Sequence, residues 1–241
     1  MALQFDRARG EPYLTVPTHP NIIIAPHRLS DGDALVGMLN DYSIAKWLHG
    51  PPYPFALKDT GKILKMAIER TERIMSEMEN DDSQSEDGET KKRFFRTCPL
   101  NTIREIQPET GEQKLIGCMG IKKDLFLEIQ DDAEREKLSK ANEAKEVGDE
   151  TILWTMGNFI SPSYQGRGIT TAVARVMIEW GREHLNMKNL RVSIFEGNIG
   201  SRKVYEKVGF VYHSTAKDAM TRVEIKGGGK ITLDIFHWKG S

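Results

Sequence analysis

The sequence predicts a mixed α/β domain, a sheet with helices on both faces. Three observations predict it. Short β-branched runs such as Asn21–Ala25 (NIIIA) and Leu190–Phe195 (LRVSIF) read as strands. Segments between the strands repeat apolar residues at helical spacing. The order is strand, helices, hairpin, strand, helix, strand, helix and a final antiparallel pair, which one mixed sheet accommodates.

The first strand, Asn21–Ala25, follows a turn region at Pro17 and Pro20. Ser30-Asp31-Gly32-Asp33 offers an N-cap, and Ala34, Leu35, Met38 and Leu39 then share a helical face. A second helical fragment carries Ile44, Trp47 and Leu48 and ends at Gly50-Pro51-Pro52. A third begins at Asp59-Thr60 and sets Ile63, Met66, Ala67, Ile74 and Met75 on its apolar side. Phe94–Ile106 reads as a strand made irregular by Pro99. The PETGEQ turn and Lys114–Ile121 complete a hairpin, in which Gly117 and Gly120 mark bulges or close approaches. Thr151–Ile160 is the next strand. Ile169–His184 is strongly amphipathic, with Ile169, Ala172, Val173, Val176, Met177 and Trp180 on one face. Ser201–Val208 is a short helix closed by Gly209. Phe210–His213 and Thr221–Ile225 resume strand character, and Gly227-Gly228-Gly229 turns the chain into Ile231–Trp238.

Composition narrows the function. The 241 residues hold 34 Lys+Arg against 35 Asp+Glu, so net charge supplies no attraction to nucleic acid or acidic membranes. Cys98 and Cys118 are too few for a disulfide scaffold or a cysteine zinc site, and no metal site is expected. The N-terminus lacks a signal-peptide core and no run is long and apolar enough to span a membrane. A cytoplasmic protein without nucleic-acid or membrane partners is the expectation, as monomer or homodimer. Glu77–Glu89 holds seven acids and no base, and Asp131–Glu150 holds eight acids and four bases. Both read as solvated insertions, the first as a loop and the second as open to an exposed helix with a flexible end, near 77–93 and 128–150, in one domain over 21–238 that follows an extension, 1–20. From Gln165 to Gly240, 13 Lys+Arg oppose 7 Asp+Glu, a basic half suited to an anionic ligand.

Two motifs carry chemistry. Gln165-Gly166-Arg167-Gly168-Ile169-Thr170 joins a strand to the N-terminus of the best helix. Its glycines can expose successive backbone N–H groups, the helix dipole adds partial positive charge, and Arg167 adds a formal one, which together suit a pyrophosphate. A plain glycine-containing connection is the competing reading. Neither a Walker loop nor the three-glycine dinucleotide fingerprint is present. The second motif is Asn198-Ile199-Gly200-Ser201, followed by Tyr205, Gly209 and Phe210. Asn198 sits where a polar ligand chain passing the sheet edge could bond it. Ser201 is a candidate helix cap, and the Tyr205 phenol is a candidate proton donor to a leaving thiolate.

Together these segments resemble the GNAT superfamily of acetyl-CoA-dependent N-acetyltransferases, in the family's order and spacing. The acyl-CoA loop [QR]-x-x-G-x-[GA] is matched from Gln165 to Thr170, with Thr170 departing from the last position. The later pattern N-x-x-[AS]-x-x-x-Y-x-x-x-G-F is matched by Asn198, Ser201, Tyr205, Gly209 and Phe210. The segments Asn21–Pro26, Ser30–Ala34, Lys46–Leu48 and Pro51–Pro54 resemble the Rim-type branch, which acts on ribosomal-protein N-termini and small amines.

The resemblance implies a mostly antiparallel sheet with a splayed acyl-CoA cleft, and transfer of acetyl from acetyl-CoA to a primary amine through a tetrahedral intermediate. It implies that backbone groups of Phe159 and Ile160 pair with pantetheine. Amides from Gly166 through Arg167, Gly168 and Ile169 to Thr170 hold the pyrophosphate, and Gln165 supports the loop. Asn198 and Ser201 lie on the cofactor side, and Tyr205 protonates or hydrogen-bonds the thiolate. Trp47, His49, Tyr53 and Phe55 are expected to line the acceptor side. The general base is open between Asp149 or Glu150, His49, His213 and a water chain. Cys118 is expected to be a buried strand cysteine. A catalytically silent acyl-CoA-binding module and a longer-chain acyltransferase are the alternatives.

Overall fold

Period-two apolar patterns hydrogen-bond into one nine-stranded sheet in the computed structural model, which describes residues 3–79 and 94–240. The strands are β1 (Gln4–Asp6), β2 (Glu11–Thr15), β3 (Ile22–Ala25), β4 (Thr102–Ile106), β5 (Gln113–Lys123), β6 (Leu153–Ile160), β7 (Asn189–Phe195), β8 (Phe210–Thr221) and β9 (Lys230–Trp238). Their spatial order is β1-β2-β3-β4-β5-β6-β7-β9-β8. Every pairing is antiparallel except β6 with β7. The helices are α1 (Gly32–Leu39), α2 (Tyr42–Ala45), α3 (Leu57–Glu79), α4 (Asp132–Glu143), α5 (Ile169–His184) and α6 (Ile199–Glu206). Among the described residues no helix is long and apolar enough to cross a membrane.

Strand alternation divides the apolar residues between two faces. Trp154, Met156 and Ile160 of β6, with Val192 and Ile194 of β7, pack into the main core with Val173, Met177 and Trp180 of α5. On the opposite face Leu115 and Phe159 meet Leu35, Met38, Leu39 and Leu64 of α1 and α3. Phe195 meets Leu233 and Ile235 of β9 on that face, with Trp47 against them. Gly117 is needed at the β5–β6 contact: a Cβ there would lie 2.6 Å from the Phe159 carbonyl oxygen. Gly120 has no such neighbour, its nearest contact being 3.9 Å away.

Several elements differ from expectation. Residues 4–15, read as part of an extension, form the β1–β2 hairpin, and Leu14 and Val16 enter the main core. Of Phe94–Ile106 only Thr102–Ile106 is strand, because Pro99 lies in the irregular approach to it. β8 runs on to Thr221, with bulges between Tyr212 and Ser214 and between Ala216 and Met220, and a 3₁₀ turn (Glu224–Lys226) replaces the expected strand end. Most of the acidic segment Glu77–Glu89 lies outside the described residues. The second charged segment does form the exposed helix that its sequence offers, α4, capped by Asp131. Buried Asn142 ties it to the sheet through both its amide and its carbonyl to Leu153.

Two buried ion pairs bind the layers. Asp31, 3% exposed, accepts two hydrogen bonds from Arg104 of β4, 2% exposed, at 2.7 and 2.9 Å. Asp31 does not cap α1 forward; its carboxylate reaches back to the Arg28 N–H. Arg104 also donates to the Pro26 carbonyl, so β3, β4 and the start of α1 share one guanidinium. Across the sheet, Arg191 of β7 grips Asp124 at 2.7 and 3.0 Å and Glu128 at 2.7 Å. Burial pushes the Asp31 carboxyl upward, but His27, Arg104 and the Arg28 amide outweigh it and hold it below the ordinary range.

Asp31→Ala strands the Arg104 charge, so denaturant unfolding should show a loss of about 3–5 kcal/mol. The depressed folded-state value sets the sign of the pH effect. The pair's contribution is complete above the ordinary Asp pKa of about 4 and is lost as pH falls through the lower folded value. An unchanged midpoint in the variant would remove this role.

Candidate active site

The site opens where β6 and β7 part. They pair at Leu153–Asn189, Trp154–Leu190 and Thr155–Arg191, and these are their paired positions. Beyond them β6 stays paired to β5 as far as Ile160, and β7 stays paired to β9 as far as Phe195. Each strand is held on its outer side while the inner sides diverge. A cavity of about 550 Å³ fills the gap.

The pyrophosphate-type loop borders this cavity. Gly166 and Gly168 take φ of 75° and 77°, a region that favours glycine, and Gly168 is the residue before α5. The first-turn amides of α5 have no intrahelical partners and face an anion favourably. Gln165 donates its side-chain amide to the Ile160 carbonyl at 3.3 Å, bracing the loop on the strand end. Gln165, Gly166 and Thr170 line the cavity. Arg167, Gly168 and Ile169 do not. The Arg167 guanidinium lies over the Tyr164 ring at 5.1 Å, and the Ile169 side chain is buried in the core. His19 meets the Arg167 carbonyl at 3.1 Å. Glycine-backed amides at a helix N-terminus are chemistry that a diphosphate can take.

Phe159, Ile160, Asn198, Ser201 and Tyr205 also line the cavity. Ser201 is not the helix cap. α6 begins two residues earlier, and Asn198 caps it by accepting the Ser201 N–H at 3.2 Å. The Asn198 oxygen is thus engaged, and its NH₂ is the group available to a ligand. Tyr205 is buried, with its ring edge-on to Phe210 at 5.1 Å. Its hydroxyl donates to the Asn158 side-chain oxygen of β6 at 2.9 Å, tying α6 to β6. Burial pushes the phenol's pKa well up.

Asn158 was missed in the sequence, although a signal existed. It occupies an inward position in the alternation Trp154, Met156, Asn158, Ile160, where an apolar residue is expected.

On the acceptor side the expectations divide. Trp47 lines the cavity with Ser43, Ile44 and Leu48. His49 stays exposed at the loop's edge. The partial desolvation it does meet, then the cations of Lys226, Arg135 and Lys122, hold its imidazole below its usual range. Tyr53 faces Tyr42, ring centroids 6.2 Å apart. Phe55 is no rim residue. It is buried among α1 and α3 side chains, and its backbone N–H and C=O are both bonded by Asn40.

The candidate bases are elsewhere. Asp149 and Glu150 precede β6, at the end opposite its cavity-lining residues, and Asp149 is engaged by Thr151. His213 stacks on His237 in the outer β8–β9 ribbon. Burial raises the Cys118 thiol, as expected of a strand cysteine. No carboxylate is among the described lining residues.

Comparison with known proteins agrees with this geometry. A family model described as "Acetyltransferase (GNAT) domain" matches residues 21–211. A protein of Bacillus subtilis (strain 168), provisionally named ribosomal N-acetyltransferase YdaF, is 32% identical over 65 residues. That match spans 27% of this chain and 36% of the relative, little more than a third of its length. Among solved structures, the ribosomal-protein-S5-alanine acetyltransferase from Vibrio fischeri superposes with TM-score 0.58 at 16% identity, over 91% of this chain and 96% of that one. The spermidine N-acetyltransferase from Vibrio cholerae, solved with CoA and spermine, gives 0.55 at 11% identity, over 90% and 94%. With the parted parallel strands, the glycine loop at α5 and the family model over most of its length, this chain belongs to the GNAT family of acetyltransferases.

Proposed function

We propose that this protein transfers an acetyl group from acetyl-CoA to a primary amine by direct attack of the amine on the thioester. The observation that carries the reading is the cavity between β6 and β7. It joins a glycine-built anion cradle at α5 to a buried, protonated phenol. The amides of Gly166–Thr170 hold the pyrophosphate, and Gln165 braces their loop. Backbone groups of Met156–Ile160 that face the gap pair with the pantetheine arm, and Asn198 meets it from the other wall. Near Phe159 those amides also stabilise the developing oxyanion.

Tyr205 serves the thiolate. Its raised pKa keeps the phenol protonated, and also makes outright transfer to a thiolate of pKa about 8.5 uphill. Its main contribution is therefore a hydrogen bond that strengthens as the sulfur gains charge.

The lining bears on the acceptor. With no carboxylate among the described lining residues to take a proton or balance a polycation, the site favours an amine already partly neutral. A peptide α-amine, pKa about 7.7–8.0, is roughly a third neutral at pH 7.5; an amine near 10.4 is roughly a thousandth neutral. The walls formed by Ile44, Trp47 and Leu48 suit a neutral or apolar body beside that amine.

A thiol-release assay with acetyl-CoA should show turnover on peptide α-amines above polyamines. Its kcat/KM should rise with pH and level near the acceptor's own pKa. A plateau far below that value would reveal an enzymic base and overturn the neutral-amine reading. Tight acetyl-CoA binding without turnover on any amine would favour a silent binding module. Tyr205→Phe should lower kcat roughly 10- to 100-fold while the acetyl-CoA Kd stays within about twofold. An unchanged kcat would remove Tyr205 from the thiolate's path.

A further inference from the structure

Three glycines in a row, Gly227-Gly228-Gly229, link β8 to β9, and the reaction above leaves them without a role. All three take positive φ, 106°, 60° and 80°. At Gly228 a Cβ would fall 2.7 Å from the Glu224 carboxylate, so the turn closes tightly on the 3₁₀ segment before it. That segment ends in Lys226, which is buried at 4% exposure. Its Nζ donates to the Leu48 carbonyl at 2.9 Å and to the Pro51 carbonyl at 2.6 Å. Its own carbonyl accepts the Tyr42 hydroxyl at 3.3 Å.

The loop gripped in this way carries the acceptor wall. Its first end is tied by turns from Ile44 and Ala45 to Trp47 and Leu48, and its last end by Asn40 on Phe55. Lys226 holds the middle, on both sides of His49 and Gly50. Burying an ammonium is costly, and an apolar side chain of the same length would pack without that cost. What the ammonium adds is direction: two carbonyls of one loop are drawn to one point. Trp47, beside that point, packs on Phe195, Leu233 and Ile235 of the same sheet end.

We propose that Lys226 is a positioning residue for the acceptor, setting the aperture beside Trp47 by clasping the Trp47–Phe55 loop to the β8–β9 turn. The proposal rests on the acetyltransferase reading and deepens it. Lys226 touches no reacting atom and acts through Trp47 and Leu48. The glycine run is the device that turns the chain tightly enough to deliver it.

The test compares Lys226→Met, Lys226→Arg and Tyr42→Phe with the unaltered protein, using acetyl-CoA and a short peptide with a free α-amine. Lys226→Met should raise the acceptor KM about tenfold, with acetyl-CoA Kd within twofold and kcat changed far less. Lys226→Arg, which keeps the charge and can reach both carbonyls, should recover most of the loss. Tyr42→Phe removes only the outer half of the clasp and should raise the acceptor KM about two- to threefold, which decides the matter if Lys226→Met does not fold. Equal falls in acceptor and acetyl-CoA affinity, an unmoved acceptor KM in a folded Lys226→Met, or, where Lys226→Met does not fold, an unmoved acceptor KM in Tyr42→Phe, overturn the clasp. Failure of the unaltered protein to turn over any amine defeats the acetyltransferase reading itself, a result separate from either.

Discussion

β6 and β7 run parallel for three paired residues and then part, and the site depends on that divergence. Neither strand is free to swing back. β6 is paired to β5 through Ile160, and β7 to β9 through Phe195. The inner backbone groups of Met156–Ile160 therefore face a cavity, and an unpaired buried amide costs about 1–3 kcal/mol. An extended chain with amides of its own satisfies them as an added strand would. Under the proposed acetyl transfer, this main-chain pattern is what receives the cofactor's arm, before any side chain is consulted.

Buried charges fix the elements that flank this opening. Asp31 and Arg104 fasten α1 to β3 and β4 on one side; Arg191, Asp124 and Glu128 fasten β7 to the segment before α4 on the other. Such pairs add little net stability compared with an apolar replacement. Their geometry is directional, however, and a one-residue slip of β4 or β7 would turn either arginine to the opposite face. The register they hold also sets which residues of β6 face α6 and which face α1.

Periodicity and glycine made part of this legible. The Ile169–His184 face, the strands on either side of it and the two-glycine loop are local patterns, and each lies where the sequence places it. What depended on distant contacts was not legible. Ser201 looked like a cap, but Asn198 takes that place because α6 starts two residues earlier. Phe55 looked like a rim aromatic until α1 and α3 closed over it. The β1–β2 hairpin is short, and pairing with β3 and burial of Leu14 make it part of the sheet. Lys226 is one cation among many until the turn sets it under a loop about 175 residues earlier in the chain.

Asn158 joins these threads. In the ground state its side-chain oxygen holds the Tyr205 proton at 2.9 Å, which stores a donor in a buried place without leaving it unsatisfied. In the proposed transfer, the sulfur gains negative charge as the thioester opens, and a charge-assisted bond is about twice as strong as one to a neutral amide oxygen. The phenol then has reason to leave Asn158 for sulfur, a preference that exists in the transition state and vanishes in the ground state. An aspartate at 158 would hold the phenol too firmly to release it, and an apolar residue would leave it without a partner in the resting enzyme. On the proposed reaction, the polar residue on the core side of β6 is thus the weak partner that a temporary donor requires.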